Sequence, residues 1–413
     1  MLSKRNLLSS ILFVLLSFSS IFSQEKESKL NLFLNCNFCD QSYIKQNLEH
    51  TEFVRDEKFA DVYLFFTNQR NGSGGRVYEI EIVGQNDYKE FKDKITYSTN
   101  SNTTRDESRS LMLKNIRLGL VRFWMKAGLQ DKITITIKKA KPVDNIEEVD
   151  PWNNWIFGLG ANGFFSGQET YSSSNLNFNV SARRITEKNK FIFRLRYGNN
   201  KQVYSFEGEP DQEYNNSNRN VTLYNVFSLN SHWSAGVFSY FGGSDYSNKS
   251  LYAKLSPAIE YNFFNYNESF KKQLTLAYRI GGDYTEYIEK TVFGKTDEFL
   301  WNHSIGLEAS IRQIWGNING SVRYESYLHD TALNQFSFNL NARVRLFKGF
   351  SFNVGGNYNI TNNQINLPAG NLTVEEILLR QQQIKSGYNY FFNVGLSYTF
   401  GSMFNTVVNP RFD

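Results

Sequence analysis

Tyr388-Asn-Tyr-Phe-Phe-Asn-Val-Gly-Leu-Ser-Tyr-Thr-Phe400 is a stretch whose even and odd positions differ in kind. Tyr390, Phe392, Val394, Leu396, Tyr398 and Phe400 alternate with Phe391, Asn393, Gly395, Ser397 and Thr399. Side chains of a strand point alternately to its two faces, so one face is apolar and the other small and polar apart from Phe391. The apolar face carries tyrosines and phenylalanines where a water-soluble strand favours Val and Ile. One strand of this kind needs partners, and the chain before it supplies them.

The chain has 413 residues, enough for two domains. It carries 24 Tyr and 36 Phe, yet its mean hydropathy is −0.47. Abundant aromatics with a polar average fit strands that are apolar on one side only. The formal charge of +5 falls to +3 once Lys4 and Arg5 are removed (5 − 2 = 3). So mild an excess, without an Arg/Lys-rich run, argues against a nucleic-acid partner. Lys4 and Arg5 followed by apolar Leu7 to Phe22 read as a secretory signal cut near Ser23 or Gln24. No Cys stands at the cut to suggest a lipid anchor. No later stretch reaches the ~18 apolar residues of a membrane helix, so a membrane-embedded mature chain must use strands.

The first part of the chain reads as a small α+β domain, residues 25–140. Leu30 to Leu34, Ala60 to Thr67, Val77 to Val83 and Lys94 to Ser98 read as strands. Asn71-Gly72-Ser73-Gly74-Gly75 makes a hairpin connection between the second and third. Asp40 to His50 fits a helix capped by Asp40. Asp106 to Lys126 is the best helix, stopped by Gly128, with Leu111, Ile116, Leu118, Val121 and Met125 expected near one face. Ile133, Ile135 and Ile137 alternate as a last strand, and residues 141–151 form a linker.

From Trp152 to Phe400 the pattern becomes amphipathic segments of roughly ten residues or more, separated by turns. Twelve strands are expected near 154–166, 174–184, 190–205, 219–229, 233–242, 250–262, 272–286, 300–312, 316–327, 334–346, 350–360 and 388–400. Short connections (186–189, 230–232, 265–271, 313–315 and 347–349) alternate with mostly longer ones (207–218, 243–249, 287–299, 328–333 and 361–387). That alternation is expected of an all-β transmembrane antiparallel β-barrel of about 12 strands, with short turns on the periplasmic side. A β-sandwich has no reason to show it. Trp152, Trp155, Trp233 and Trp315 fall at the short-turn rim, where an aromatic girdle belongs. Val374 to Gln383, in the longest connection, fits a short helix or a self-folded loop. The opening stretch is then the closing strand, expected to pair with the first strand near Trp155. Its Asn393, Gly395, Tyr398 and Phe400 match the polar-x-Gly-x-x-apolar-x-aromatic pattern of barrel assembly signals. Residues 401–413 form a tail beyond it.

Several motifs carry a resemblance over nearly the whole mature chain. They include Asn31-Leu-Phe-Leu-Asn-Cys36-Asn-Phe-Cys39-Asp40, Phe53-Val-Arg-Asp56, Ala60-Asp-Val62 and Gly72-Ser-Gly-Gly75. Asp150-Pro-Trp-Asn-Asn-Trp155, Ser256-Pro-Ala-Ile-Glu-Tyr-Asn262, Glu375-Glu-Ile-Leu-Leu-Arg380 and Asn405-Thr-Val-Val-Asn-Pro-Arg-Phe412 follow. With them the chain resembles a family of Bacteroidota outer-membrane proteins that join a small periplasmic domain to a barrel. The barrel is also similar to salt-induced outer-membrane proteins of unknown function. The resemblance implies a fold and a place in the outer membrane, and it transfers no functional residues.

Cys36-x-x-Cys39, after a strand and before a helix, has the spacing of a thioredoxin site. The cis-proline of that family has no counterpart, because no proline occurs between residues 30 and 141. In an oxidising periplasm a local disulfide clip is favoured over redox activity or free thiols. Gly158-Leu-Gly160-Ala-Asn-Gly163 matches a dinucleotide fingerprint, but a strand follows where a helix is needed, so these are small strand positions. Asn302-His303-Ser304 names the residue types of a barrel phospholipase, yet neighbours in a strand face opposite sides. No metal ligand set, cofactor site or nucleophile–base pair is visible, and an enzyme is not expected.

The inward faces of the strands carry the informative charges. Arg183, Arg194, Arg196, Lys254, Arg279, Arg312, Arg323, Arg343 and Arg345 stand against Glu260, Asp283, Glu308 and Glu325. They either fill a narrow barrel with ion pairs or line a channel that favours anions. Two functions follow: a barrel that anchors a periplasmic domain for an envelope partner, or a diffusion channel for small, preferentially anionic solutes. Either one implies contact with lipid, lipopolysaccharide and the barrel assembly machinery.

Overall fold

The computed structural model describes residues 29–136, 150–347, 349–370 and 386–401. The signal segment, most of the linker, the stretch 374–383 and nearly all of the tail lie outside the described residues. No described helix is long and apolar enough to cross a membrane.

The first domain is a five-stranded mixed sheet with two helices on one face. Its strands are β1 (Leu30–Asn35), β2 (Thr51–Phe53), β3 (Val62–Arg70), β4 (Arg76–Gly84) and β5 (Lys92–Ser98), in the order β2-β1-β3-β4-β5. β1 runs parallel to both β2 and β3, and β3, β4 and β5 form an antiparallel meander. Helix α1 (Gln41–Asn47) starts at Asp40, whose side chain accepts from the Tyr43 amide at 3.0 Å. Helix α2 (Arg105–Lys126) starts in a capping box between Thr104 and Glu107, close to the expected boundary.

The buried stripe of α2 differs from the expected one. Met112, Leu113, Ile116, Gly119, Leu120 and Phe123 are buried, whereas Leu118 and Met125 are 55% and 54% exposed. Stepping by three and four from Met112 keeps to one side of a 3.6-residue helix, and Leu118 falls off that side. Gly119 allows the close approach, because a Cβ there would lie 1.8 Å from Ile82 Cδ1. The strand expected at Ile133–Ile137 does not form over its described part, which ends at Thr136. A single 3₁₀ turn (Gln130–Lys132) is followed by unpaired chain, with Ile135 exposed. Alternation makes a strand only where a sheet edge receives it, and none of the five does.

Twelve antiparallel strands follow, each paired with its neighbour in sequence: β6 (Trp155–Gln168), β7 (Tyr171–Ile185), β8 (Asn189–Tyr204), β9 (Gln212–Ser228), β10 (Trp233–Ser244), β11 (Lys249–Asn262), β12 (Lys272–Tyr287), β13 (Asp297–Gln313), β14 (Gly316–Tyr327), β15 (Asn334–Phe347), β16 (Phe350–Thr361) and β17 (Tyr388–Tyr398). β9 starts inside the stretch expected as a loop, because polar residues 212–218 lengthen the β8–β9 hairpin. The register keeps one face of the sheet consistent from strand to strand. Asn179 pairs with Arg196, Lys254 with Asp283, Ser304 with Glu325 and Asn353 with Gly395. The opposite face is apolar and uncovered, with Leu159 84% and Val394 69% exposed.

The sheet is strongly curled. Lys254 on β11 reaches Glu325 on β14 at 2.8 Å across two intervening strands. One ladder expected from the sequence is missing, since among the described residues no pairing joins β17 to β6. The hairpins with short turns have their register set by those turns, whereas the seam joins the two ends of the meander and has no turn to set it.

Candidate functional site: a cationic interior capped at both mouths

The inner face divides into two kinds of wall. On β11–β14 the charges are mixed, and Lys254 bridges Asp283 at 3.5 Å and Glu325 at 2.8 Å. Glu260 accepts from the Tyr266 hydroxyl at 2.6 Å, and Arg279 lies over the Phe238 ring at 4.0 Å. Glu260, Arg279, Glu308, Arg323 and Glu325 share a cavity of about 480 Å³. On β6–β10 the inner face carries Asn, Ser, Gly and Arg together with aromatic Tyr224, Phe238 and Tyr240. There Arg194 and Arg196 line a cavity of about 960 Å³ with Lys249, and no described carboxylate borders it. Arg183, Arg194 and Arg196 have no acid at ion-pair distance among the described residues.

The rim of short turns is covered by the first domain. β3 is buried without a break from Val62 to Thr67, because helices cover Val62, Leu64 and Phe66 while the far face is covered too. That far face holds Phe33, Tyr63 and Phe65, with Phe33 and Tyr63 stacked at 5.3 Å. Arg345 of β15 lies over the Phe33 ring at 5.1 Å and pairs with Glu57 at 3.6 Å. Lys271 pairs with Glu81, Gln69 donates to Ser269 Oγ at 3.0 Å, and Asn35 Nδ2 donates to the Ile314 carbonyl at 3.0 Å. Near the other end of the meander, Gly72 approaches Ile185 and Gly74 approaches Arg183. A domain of this size meets β7 and β15 together only because the sheet curls round it. Burial pushes the Tyr63 phenol up to about 12, against the smaller opposing effect of its bond from Asn35.

The other mouth is crossed by residues 362–370. Asn248, in the left-handed region at φ 54°, donates to the carbonyls of Glu289 (2.9 Å) and Asn366 (3.0 Å) and accepts from the Glu289 amide (2.7 Å). Thr291 bridges to Pro368, and the Val292 amide donates to the Leu367 carbonyl at 2.9 Å. Ile365, Asn366 and Leu367 are buried there.

The other motifs of the sequence are accounted for by local contacts. Cys36 and Cys39 are disulfide-bonded, with Cα atoms 5.6 Å apart. His303 faces outward and contacts Ser326 Oγ at 3.0 Å rather than Ser304. Ser326 is 1% exposed, and the other ring nitrogen meets the Tyr278 hydroxyl, so no accessible nucleophile results. Gly158, Gly160 and Gly163 are positions on β6. Arg343 faces inward between Asn317 and Asn353, and Arg345 is engaged by the first domain. Asn393 and Gly395 stand on the inner face of β17; Tyr398 stacks on Phe400 at 5.6 Å. Among the described residues no group of three or more His, Cys, Asp or Glu could hold a metal ion. The docking residues Glu57, Gln69 and Glu81 carry no sequence signal beyond being polar in a small domain.

No family model matches the chain, and no curated protein matches it. Among solved structures it is similar to the NanC porin in a rhombohedral crystal form, at 9% identity and TM-score 0.28. That likeness covers 59% of this chain and 100% of the porin's, and at this level it says nothing of function.

Proposed function

We propose that the protein is an outer-membrane barrel that passes small anionic solutes and is closed at rest by its own N-terminal domain. The observation that carries this reading is the pair Arg194 and Arg196 on β8, without acids at ion-pair distance among the described residues, beside a cavity of about 960 Å³ that Lys249 also lines. Lys254, by contrast, is held by two carboxylates, and Arg279 and Arg323 share their cavity with Glu260, Glu308 and Glu325. Guanidinium groups left facing water favour anions. The uncovered aromatic outer face supports a lipid setting, because so much exposed apolar surface is not sustained in water. In that setting the short turns and the docked domain lie in the periplasm, and residues 362–370 face outward toward lipopolysaccharide. Pairing of β17 with β6 then completes the barrel, with Asn393, Gly395, Tyr398 and Phe400 serving the assembly machinery.

A conductance trace tests the reading. The full chain in planar bilayers conducts little, and charge reversal at the docking contacts (Glu57→Lys with Glu81→Lys) raises the conductance. Arg194→Ala with Arg196→Ala then moves the chloride-over-potassium permeability ratio toward unity. Silence in the charge-reversed protein refutes the channel. The second reading, an anchor for a periplasmic domain, is favoured by exposed Leu118 and Met125 on α2, away from the docked face. It expects photo-crosslinks from those positions to capture one recurrent envelope protein.

A further inference from the structure

A third cavity, of about 630 Å³, lies where the first domain meets the barrel rim. Its wall brings together Arg70, Arg76, Arg105, Arg109 and Arg183 against a single carboxylate, Asp40. Five cations and one anion leave an excess of four positive charges. Asp40 is already shared by Arg105 at 3.9 Å and Arg109 at 3.6 Å. Arg183 comes from β7 of the barrel, and its Nε is buried with no hydrogen-bond partner among the described residues. Gly74 lets it in: a Cβ there would lie 2.0 Å from Arg183 Nη2, and φ is +83°. The start of α2 also faces the cavity, but Thr104 and Glu107 already satisfy its cap, so the donors left to a ligand are those of Arg183, of Arg70 and of Arg76 beyond its bond to Asn68. The floor is apolar. Tyr78, Ile44 and Met112 are buried beneath it, while the Phe38 ring, 5.9 Å from that of Tyr78, is 44% exposed at its side.

We propose that this junction cavity binds an anion whose phosphate or carboxylate is carried on an apolar body. The anion takes hydrogen bonds from Arg183 of the barrel and from Arg70 and Arg76 of the domain, and its body lies against Phe38. Like charges that face one another across the junction are thereby joined through the ligand. Arginine suits the task because its planar donors grip an oxyanion in two-toothed fashion. The site stands independently of the channel reading. A chain that binds without conducting loses the channel and keeps the site, and one that conducts without binding does the reverse.

The test is calorimetric titration of the full chain with phenyl phosphate and, separately, inorganic phosphate. Binding of phenyl phosphate is expected to weaken at least tenfold in Arg70→Ala/Arg76→Ala and in Arg183→Ala. Phe38→Ala is expected to weaken phenyl phosphate while leaving inorganic phosphate unchanged. Arg76→Lys, which keeps the charge, guards against loss through misfolding and should retain part of the affinity. Repeating the titration in nanodiscs separates two sources of the ligand. Competition by phosphatidylglycerol assigns a lipid headgroup, and its absence assigns a free solute. No binding, or equal affinity in wild type and the arginine variants, overturns the proposal. Sensitivity to Arg70 and Arg76 but not to Arg183 overturns the bridging of the two parts.

Discussion

Tyr63 shows how much one side chain at the docking face carries. Its phenol is buried between the first domain and the barrel rim, takes a hydrogen bond from Asn35 and stacks on Phe33. Burial raises its pKa from 10.0 to about 12, and an undocking that exposes the phenol returns it toward 10.0. For a group raised in this way, the stabilisation is fully present below pH 10 and is lost as pH climbs through 10 toward about 12. A fluorophore–quencher pair on the domain and on the 186–188 turn should report undocking in that alkaline window. Tyr63→Phe should flatten that limb of the profile. Gly119 is a second decisive position. Gly119→Ala drives a methyl group into Ile82 and should destabilise the domain by about 1–3 kcal/mol in urea unfolding, although alanine is the better helix former.

At the scale of elements, α2 shows the limit of periodicity. Two apolar rows run along it, one through Met112, Ile116 and Phe123 and one that includes Leu118 and Met125; only contact with the sheet selects between them. Phe123→Ala should cost about 3–5 kcal/mol in the unfolding free energy of the domain, and Leu118→Ala within about 0.5. Equal costs would mean that the helix docks by the other row. The connections at the far mouth make a similar point, since Asn248 ties the β10–β11 connection to residues 289 and 366. Asn248→Ala removes those bonds and leaves two carbonyls and an amide without them, so amide exchange across 288–292 should accelerate by a factor of roughly ten or more.

At the scale of the molecule, docking joins apolar and ionic contacts, and the two respond differently to salt. The Lys271–Glu81 and Arg345–Glu57 pairs are partly exposed, so each is worth no more than about 1 kcal/mol, and they weaken as the Debye length falls below ~10 Å. The stacked Phe33–Tyr63 face is indifferent to ionic strength. Undocking followed by the same fluorescent pair should therefore grow with salt and then level off at a plateau set by the apolar face. A continued rise to complete undocking would mean that the ion pairs alone hold the domain.

How much of this was legible beforehand follows from the range of the forces involved. Alternation in segments such as Asn334–Phe347, and turns such as Phe347–Gly349, are local, so strand number, order and inner face could be read from residue types alone. The same holds for the Asp40 cap, and arginines are expected on the inner face because charge on the lipid face of such a strand is expensive. The side of α2 that is buried was not legible, because two apolar rows competed and a sheet distant in sequence decided. Closure of β17 on β6 was expected from a repeating pattern, but a seam without a turn has no local code, and the described strands do not pair there. The pairing of Lys254 with Glu325, the docking of Glu57 and Glu81 and the gathering of Arg183 with Arg70 and Arg76 join residues far apart in sequence. The sequence by itself determined the strands and the alternation of their faces, through the two-residue period of the backbone. Only the tertiary structure decided which charges are neutralised, which stay free and what covers the two mouths, because those depend on how the sheet curls.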